Sequence, residues 1–524
     1  MTEDPKAIKI LIMNTLAFSL CFAVWMLNGV LVTFLTTNGV YKWSPLEIGV
    51  LMAIPVLTGS LIRLPVGIWT DKYGGRIVYF WVLIASAIGL VYLHVAHTYF
   101  DFVVASLIFG LSGTAFAVGI AYTSVWFSKK YQGFALGIFG AGNAGSAITL
   151  LGAPKLLNYF TANGTYLEGW RWLPIVYAIV IVLMAIAFWF LTEHKLTPHG
   201  AGKTFSERMA PLRHMRVWRF GAYYFLVFGG FVGLSQWLVP YYVKGYGASL
   251  VFAGALAAIF SFPSGVIRAL GGWLSDHFGA RRVMYWVLST IGIFCFLLFF
   301  PQMTILSPGN GITASEPGKI ISLSGKEMIV ENPKSGNKIT YKISGQAPAA
   351  TNMELDTQNG DSHIWPTSTT WQYWTERTVN SNGENAAFKV GDEVKKGELL
   401  ARGMTQIYFQ ANIYIFTFFV FVIGIAMGIG KAAVYKYIPD YFPEDVGVVG
   451  GMVGVLGGLG GFFTPIIFGW LLQTTGIWTT SWMFFAIFTV ICLVWLHLVV
   501  QKMMRSEAPF LSRRIENENL TINN

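Results

Sequence analysis

The chain has 524 residues, of which 54% are hydrophobic and 12% are charged, and its mean hydropathy is +0.55. This composition excludes a water-soluble protein and is typical of a polytopic helical membrane protein. The formal net charge of +10 indicates membrane topology, because basic residues collect on the cytoplasmic side of such proteins. We therefore expect a lipid bilayer around the chain and no nucleic acid partner.

Twelve apolar runs are long enough to cross a bilayer as helices. Each of the three cysteines lies inside one of these runs, which predicts no disulfide framework. The expected fold class is therefore an all-α polytopic membrane protein. The runs lie near residues 10–37, 46–70, 77–97, 102–126, 133–156, 172–191, 217–242, 249–274, 282–301, 411–436, 447–472 and 479–501.

The distribution of basic residues predicts the orientation of these helices. With the N-terminus in the cytoplasm, nineteen lysines and arginines fall in inside segments and four in the short outside loops. This bias predicts a multi-pass protein of the cytoplasmic membrane with both termini inside. The predicted parts are two six-helix halves, residues 1–191 and residues 217–301 with 411–505, a cytoplasmic linker over 192–216, an extracytoplasmic insert over 302–410 and a cytoplasmic tail over 506–524.

One stretch of the chain occurs twice. Ala53–Leu83 and Ala258–Leu288 agree at 12 of 31 positions when aligned without a gap, and Arg63 aligns with Arg268. Each arginine lies eight residues before a charged turn, which on a helix is a rise of about 12 Å, nearly to the middle of a hydrocarbon core about 30 Å thick. An arginine at that depth is costly, so we predict a function for both. Parallel repeats of this kind place a substrate site near the bilayer midplane, between the halves.

Both copies end in the charged pattern G-x-x-x-D-x-x-G-x-R. It holds Asp71 and Arg76 in the first copy and Asp276 and Arg281 in the second. The pattern resembles a loop of the major facilitator superfamily. We interpret these residues as a cytoplasmic latch, in which Asp71 pairs with basic or helix-terminal groups in one state of an alternating cycle. The alternative is that the charges only mark the membrane boundary.

Two glycine-rich runs lie in the predicted fifth and eleventh helices. Glycines spaced by three and four residues form a smooth helix face, on which a neighbouring helix packs closely or slides; close packing alone is the simpler interpretation. Asn143 lies inside the first run, and together with the duplicated arginines it favours a functional role. The predicted gating glycines are Gly140, Gly142, Gly145, Gly454, Gly457, Gly458, Gly460 and Gly461.

The polar segment 302–410 interrupts the helical pattern. Alternating apolar residues between Gly, Pro and Asn turns predict short strands at Lys319–Leu323, Glu327–Glu331 and Lys338–Ile343. We therefore predict a small β-rich accessory domain, which the helix count places outside the cytoplasm.

The end of this insert, FKVGDEVKKGELLARG from Phe388, resembles the hairpin of biotinyl-lipoyl or barrel-sandwich modules. Gly391 and Gly397 occupy the turns, and Val394 and Leu400 are expected to point inward. The modified lysine of such modules lies between methionines, and no such triplet occurs here. We therefore expect no covalently attached cofactor.

Several runs together resemble the nitrate/nitrite porter family of the major facilitator superfamily. The resemblance covers all twelve helices and leaves out the insert. It implies the major facilitator fold and a secondary transporter that moves nitrate and nitrite by alternating access. The runs are AGNAGSA around Asn143, GVLGGLGGFFTP from Gly454, VWFSKKYQGFALG from Val125 and CFAVWML from Cys21, together with the lone arginines Arg63 and Arg268.

The resemblance also implies a substrate site. In that family two mid-membrane arginines bind the anion, an asparagine of the fifth helix adds a hydrogen bond, and aromatic residues close over the substrate. Position by position, the implied substrate-binding residues are Arg63, Arg268 and Asn143, with Tyr224 as a hydrogen-bond donor and Phe228 and Phe116 as opposite walls. Asn28 departs from the pattern, because some members have an aromatic residue there.

The chemistry of the arginines agrees with small oxyanions. Nitrate and nitrite are planar monovalent anions with acceptor oxygens only, and a guanidinium group donates two parallel hydrogen bonds to that geometry. Two arginines in a low dielectric repel each other, so an anion between them relieves the repulsion. An empty carrier would then resist reorientation, which favours exchange of one anion for another.

Coupling to protons is the alternative to exchange. No Asp or Glu lies well inside a predicted helix, which favours exchange. Some porters of the family are thought to couple to protons, and Lys431 in the tenth helix is the candidate coupling group. The alternative for Lys431 is a side chain that extends to the cytoplasmic interface.

Other function classes find little support in the sequence. There is no cluster with metal-ligand spacing, no phosphate-binding loop and no nucleophile–base pair, so we predict neither an enzyme nor a bound cofactor or metal. We expect a monomer. A carrier of another small anion, such as formate, chlorate or a short carboxylate, remains an alternative. So does a membrane-anchored sensor or scaffold that acts through the β insert.

Overall fold

A computed structural model describes residues 6–196, 210–298, 302–345, 367–378, 385–410, 413–442 and 446–507. The chain divides into two compact units. One unit comprises Met1–Phe299 with Thr417–Asn524, and the other comprises Phe300–Phe416. Residues 197–209 of the predicted linker and residues 508–524 of the predicted tail lie outside the described residues.

The first unit is a bundle of long apolar helices. Eleven helices of the described chain are long and apolar enough to cross a membrane, and one bent pair supplies a twelfth. The twelve predicted spans are thus confirmed. The helices that the structure shows are α1 Lys6–Thr37, α2 Pro45–Tyr73, α3 Gly75–His94, α4 Tyr99–Trp126, α5 Tyr131–Phe160, α6 Leu167–Leu191, α7 Met215–Gly245, α8 Leu250–Val266 with Arg268–Phe278, α9 Ala280–Leu297, α10 Ile413–Ile438, α11 Val448–Thr475 and α12 Thr480–Lys502.

The internal repeat has the same backbone in both halves. Helix α2 is interrupted at Ile62 and α8 at Ile267, where the two parts of α8 are bent by 46°. Both helices begin with a capping serine: Ser44 accepts a hydrogen bond from the backbone N–H of Glu47, and Ser249 accepts one from that of Phe252. The duplicated sequence therefore folds as a duplicated structure.

The charged turns also match. Gly74 ends α2 with a φ of 82°, and Gly279 ends α8 with a φ of 84°. A residue with a side chain is strained at such a positive φ. Glycine therefore allows the backbone to turn sharply from one helix into the next at both positions. We call the membrane end that carries these two turns the motif end, and the end that carries Ser44 and Ser249 the far end.

The two halves pack closely at the far end. A Cβ atom added to Gly29 of α1 would lie 2.8 Å from the Cα of Gln236 in α7, and one added to Gly254 of α8 would overlap the backbone carbonyl oxygen of Leu150 in α5. Such distances leave no room for a side chain, so the backbones of the two halves are in contact there.

The halves are further apart at the motif end. Several glycines in the motif-end parts of the helices have no atom of a neighbouring described helix within 4 Å of a hypothetical Cβ. The bundle is therefore closed at the far end and more open at the motif end. These glycines are Gly67 of α2, Gly133 and Gly137 of α5, Gly272 of α8 and Gly451 of α11.

The second unit is built from antiparallel strands. They form a three-stranded sheet of order β1-β9-β5, a four-stranded sheet of order β4-β3-β2-β8 and the pair β6-β7. The strands are β1 Gln302–Thr313, β2 Gly318–Leu323, β3 Glu327–Glu331, β4 Lys338–Lys342, β5 Thr367–Trp374, β6 Glu376–Thr378, β7 Asn385–Ala387, β8 Glu393–Val394 and β9 Leu399–Gln410.

The predicted β-rich character of the insert is confirmed, and three of these strands lie where alternation placed them. In the terminal hairpin, Gly391 and Gly397 have φ values of 103° and 83°, and Val394 and Leu400 are buried. The last two side chains belong to a small apolar core with Met328. The turn glycines and the inward-facing residues were therefore predicted correctly.

Candidate functional site

Arg63 is the first residue after the interruption of α2. Its Nη1 donates a hydrogen bond to the carbonyl oxygen of Gly454 in α11 at 3.1 Å, and its Nη2 donates one to that of Gly113 in α4 at 3.1 Å. The side chain is 4% exposed, and Nε is buried with no hydrogen-bond partner among the described residues. Because α4 and α11 belong to different halves, Arg63 lies between them.

Arg268 occupies the equivalent position after the interruption of α8. It packs against the first half, since a Cβ on Gly140 of α5 would lie 3.3 Å from its Cδ. Its Nη1 is buried and has no hydrogen-bond partner in the described part of the chain. Each arginine therefore retains a buried donor that the protein does not satisfy.

The two arginines share one aromatic ring. The guanidinium carbon of Arg63 lies 5.3 Å from the ring centroid of Phe116 in α4, and that of Arg268 lies 5.5 Å from the same centroid. The two charges are therefore no further apart than the sum of these distances. A cation over a ring gains about 0.5–2 kcal/mol, which offsets part of the desolvation cost but leaves two net positive charges.

Asn143 supplies further unsatisfied polar atoms. It lies in a 3₁₀ turn of α5 over Ala141–Ala144, one helical turn from Gly140, and is fully buried. Neither its Nδ2 nor its Oδ1 has a hydrogen-bond partner among the described residues. A buried amide without partners costs about 1–3 kcal/mol, so this position favours a ligand that accepts from Nδ2.

The predicted aromatic residues form a wall beside Phe116. Tyr224 and Phe228 of α7 stack with ring centroids 5.0 Å apart and an interplanar angle of 6°. The ring of Phe228 faces that of Phe116 at 6.4 Å and 24°. The structure thus brings all three aromatic residues together from the two halves. The hydroxyl of Tyr224 is buried, and its ring packs against that of Tyr435.

Tyr435 of α10 is a residue that the sequence analysis missed. Its ring lies 5.4 Å from the guanidinium carbon of Arg268 and packs edge-on against Tyr224 at 5.0 Å. Its hydroxyl donates to the carbonyl oxygen of Gly450 at 3.1 Å. The available signal was its spacing of four residues from Lys431, which puts the two on one helix face.

Lys431 is fully buried, so the alternative that it extends to the membrane interface is wrong. Its Nζ donates to the backbone oxygen of Ser264 at 3.3 Å and to the Oγ of Ser264 at 3.2 Å. It also lies 3.2 Å from the ring centroid of Phe231. Ser264 is one helical turn before Arg268, so a third basic side chain lies close to Arg268.

The glycines of α11 bring that helix close to both halves. A Cβ on Gly458 would lie 2.8 Å from the Cβ of Ser60 in α2, and one on Gly461 would lie 2.7 Å from Val232 in α7. Gly457 abuts the ring of Tyr224. Other predicted gating glycines also contact neighbouring helices or site residues: Gly142 faces Phe18, Gly145 faces Ser19, Gly454 faces Tyr435 and Arg63, and Gly460 faces Phe225.

The residues of the predicted latch lie at the motif end. Asp276 forms a salt bridge of 2.6 Å with Lys436, which follows Tyr435 in α10, so this pair lies within the second half. Arg76 stacks on Trp189 of α6 at 4.7 Å, within the first half. Asp71 lies in the last turn of α2 and Arg281 in the first turn of α9. Pairing of Asp71 across the halves stays a prediction.

The site therefore presents donors and positive charge to a small ligand. The buried arginines Arg63 and Arg268 share the ring of Phe116, and the buried basic side chain of Lys431 lies against Ser264, one helical turn before Arg268. The acidic residues Glu47 and Asp101 lie in the first turns of their helices, far from the interruptions. The described residues hold no group of three or more His, Cys, Asp or Glu side chains that could bind a metal. The arrangement suits a monovalent anion with several acceptor atoms.

Comparisons with known proteins agree with the helical architecture. The sequence model of the Major Facilitator Superfamily matches residues 13–315 and 399–516. The chain is 36% identical over 519 residues to a "Probable nitrate/nitrite antiporter NarK1" of Thermus thermophilus, covering 98% of this chain and 96% of that protein. It is 24% identical to the "Nitrite extrusion protein" of Bacillus subtilis, with 91% of each chain covered.

Solved structures show the same fold. A bacterial homolog of the human lysosomal transporter Spinster, in an inward-facing and occupied conformation, superposes with a TM-score of 0.59. Its sequence identity is 15%, and the match covers 96% of this chain and 98% of that one.

Proposed function

Because this chain belongs to the nitrate/nitrite porter family of the major facilitator superfamily, we propose that it carries nitrate and nitrite across the cytoplasmic membrane. Transport proceeds by alternating access between its two six-helix halves. The fold and the relatives are those of transporters, and we assign no enzymatic activity to the chain.

One observation carries this proposal. Arg63 and Arg268, from different halves, hold their guanidinium groups over the same ring of Phe116, and each keeps a buried donor without a partner. A planar monovalent oxyanion between them accepts from both arginines and neutralises one of the two charges. Asn143 and Tyr224 add hydrogen bonds, and Phe116 and Phe228 form the walls.

Exchange is the mode of coupling that the charges favour. With the anion absent, the arginines repel each other across the interface of the halves, which opposes the close approach needed for reorientation. With the anion present, the repulsion falls and the halves can move. The carrier therefore changes between its two states only with an anion bound. Nitrate moves in one direction and nitrite in the other, and no net proton is transported.

The membrane orientation follows from the positive-inside bias. The motif end faces the cytoplasm, together with both termini, and the β insert lies on the other side. The bundle is closed at the far end and more open at the motif end, which corresponds to an inward-facing state. The latch and the glycine faces then serve the passage to the outward-facing state. The working unit is a monomer, because the site lies inside one chain.

Counterflow in liposomes tests the function. Purified protein is reconstituted with nitrite inside, labelled nitrate is added outside, and the pH gradient is varied independently. We expect nitrate uptake that requires internal nitrite and does not respond to the pH gradient. Nitrate uptake into vesicles without internal nitrite, driven by a lower external pH, would show that the protein is a proton symporter and not an exchanger. Uptake of formate or chlorate in place of both anions would overturn the assigned substrate.

A further inference from the structure

A second set of buried donors lies at the motif end of the second half, away from Arg63 and Arg268. A small, partly open pocket lies there between α7, α9, α10 and α12. Its polar lining includes Arg219 and Tyr223 of α7, Arg281 of α9 and Tyr437 of α10. All four helices belong to one half, so the pocket does not lie on the path between the halves.

Three of these side chains carry a buried polar atom that has no hydrogen-bond partner in the described part of the chain. Arg219 is 7% exposed, Tyr437 is 5% exposed and Tyr223 is fully buried. Within the described residues, Nε of Arg219 and both tyrosine hydroxyl groups have no partner. Leaving each such group unsatisfied costs about 1–3 kcal/mol, so three together indicate a ligand that accepts from them.

The aromatic packing fixes the positions of these donors. The ring of Phe220 stacks on that of Tyr437 with centroids 5.1 Å apart and an angle of 7°. The guanidinium carbon of Arg219 lies 5.3 Å from the Phe220 ring centroid. The donors are therefore held in place before any ligand arrives, which reduces the entropic cost of binding.

The donor set selects the class of ligand. Two guanidinium groups and the phenols of Tyr223, Tyr437 and Tyr441 line the pocket, and none of its lining residues is acidic. A phosphate group has several acceptor oxygens and up to about two negative charges, which match two arginines better than a monovalent planar anion does. We propose that this pocket binds a phosphate group, carried by an anionic phospholipid or free in solution.

The rest of the pocket lining is apolar and can contact the acyl chain of a lipid. Leu496, Val499 and Val500 of α12 form its apolar side. On the same helix, Leu498 is 58% exposed and Val494 is 50% exposed, so apolar surface continues toward the membrane core. An acyl chain can follow that surface while its headgroup phosphate remains at the arginines. This proposal does not depend on the transported substrate.

Thermal unfolding of the purified full-length protein in nitrate-free buffer tests the site. Short-chain phosphatidylglycerol, short-chain phosphatidylcholine and inorganic phosphate are titrated at constant ionic strength, and native mass spectrometry counts retained lipid. We expect a saturable rise of Tm with phosphatidylglycerol or with inorganic phosphate. Arg219→Gln should bind about tenfold more weakly, because it loses one charge-assisted contact.

Matched variants separate the pocket from general surface charge. Arg282→Gln removes a neighbouring exposed arginine that does not line the pocket, and it should respond like the wild type. The double variant Tyr223→Phe with Tyr437→Phe keeps charge and packing, and it should also bind about tenfold more weakly. A response to phosphatidylglycerol alone identifies the lipid as the source. No stabilisation of the wild type, or equal losses in R219Q and R282Q, would overturn the proposal.

Discussion

Arg63 of α2 donates a hydrogen bond from Nη1 to the carbonyl oxygen of Gly454 in α11, at 3.1 Å. The contact crosses between the two halves at the depth of the helix interruptions. The guanidinium group packs closely on the backbone of α11 there, since a Cβ on Gly454 would lie in van der Waals contact with Nη1, at 3.6 Å. Any motion of α11 relative to α2 must therefore change the contacts of Arg63, which couples the substrate site to the movement of the halves.

The first prediction concerns the shape of the two cationic groups. Arg63→Lys and Arg268→Lys keep the charge but lose the planar fork, and a lysine at position 63 that held Gly454 and Gly113 would have one N–H donor left for an anion. We expect counterflow of nitrate against nitrite to fall at least about 100-fold in either variant, since each loses hydrogen bonds worth about 1.5–3 kcal/mol apiece. Initial rates in proteoliposomes give the measurement.

The exposed Arg282→Lys is the matched control for these variants and should transport like the wild type. Near-normal exchange by both R63K and R268K would show that the anion binds elsewhere. Loss of exchange together with a lower Tm in the absence of anions would indicate a folding defect, so both quantities are measured on the same preparations.

Asn143→Asp tests whether an anion relieves repulsion at the site. The substitution keeps the size of the side chain and adds a negative charge one helical turn from Gly140, which packs against Arg268. We expect this fixed charge to replace the anion, so that Tm without nitrate rises above that of the wild type. Nitrate, which stabilises the wild type by binding the folded state, should no longer raise Tm, and exchange should be lost.

Asn143→Ser is the control for this charge, because it stays neutral and small. It should leave the anion-free Tm near or below that of the wild type and keep a response to nitrate. If N143D and N143S had the same Tm without anions, repulsion between the arginines would not be a feature of the empty site.

The internal repeat explains how much of the site was predictable. Arg63 and Arg268 stand out because two copies of one sequence carry an arginine at the same unfavourable depth, and the two copies adopt the same interrupted helix. Twelve spans follow from hydropathy alone, because membrane helices must satisfy their backbone internally. The family resemblance added Asn143, Tyr224, Phe228 and Phe116.

The contacts between α10 and the site were less predictable. Tyr435 and Lys431 lie in a run whose composition fits a helix end as well as a site, and only tertiary packing places them beside Arg268 and Ser264. The donors around Arg219 were missed for the same reason: its sequence context is a basic stretch near a helix start, which ordinarily marks the membrane boundary.

Two glycines of α11 provide a test of close packing. A Cβ on Gly457 would overlap the ring of Tyr224, whereas one on Gly451 would have no described atom within 4 Å. We therefore expect Gly457→Ala to destabilise the protein by about 1–3 kcal/mol, as overpacking does, and Gly451→Ala to leave Tm unchanged in the state described. Thermal unfolding in detergent measures both. Equal Tm values for the two variants would contradict the packing of α11 on α7.

The proposed orientation predicts which residues are accessible from each side. The three native cysteines are buried, so we expect them to react little with a maleimide, and labelling is due mainly to the introduced cysteine. Gly133→Cys, at an open position of the motif end, should react with a membrane-impermeant maleimide in inside-out vesicles only. Ile477→Cys, between α11 and α12 at the far end and 52% exposed, should react in right-side-out cells only. The opposite pattern would reverse the topology.

The last prediction separates a transporter from a sensor that acts through the β insert. The insert is a compact unit of its own, and its first and last strands pair in antiparallel register, with Leu306 opposite Gln406 and Ser307 opposite Thr405. The chain therefore leaves and returns at neighbouring positions. Joining Ser307 to Thr405 through Asn-Gly, a favoured two-residue hairpin turn, removes residues 308–404 and keeps the paired strand ends on either side of the deletion.

Since the arginines, Phe116 and Asn143 all lie in the other unit, this shortened protein should exchange nitrate for nitrite at a rate within about threefold of the wild type, a change of less than about 1 kcal/mol in the barrier. Combining the deletion with Arg268→Lys should abolish the exchange. A shortened protein that folds, as judged by Tm and monodisperse elution, yet exchanges neither anion would make the insert part of the transport machinery.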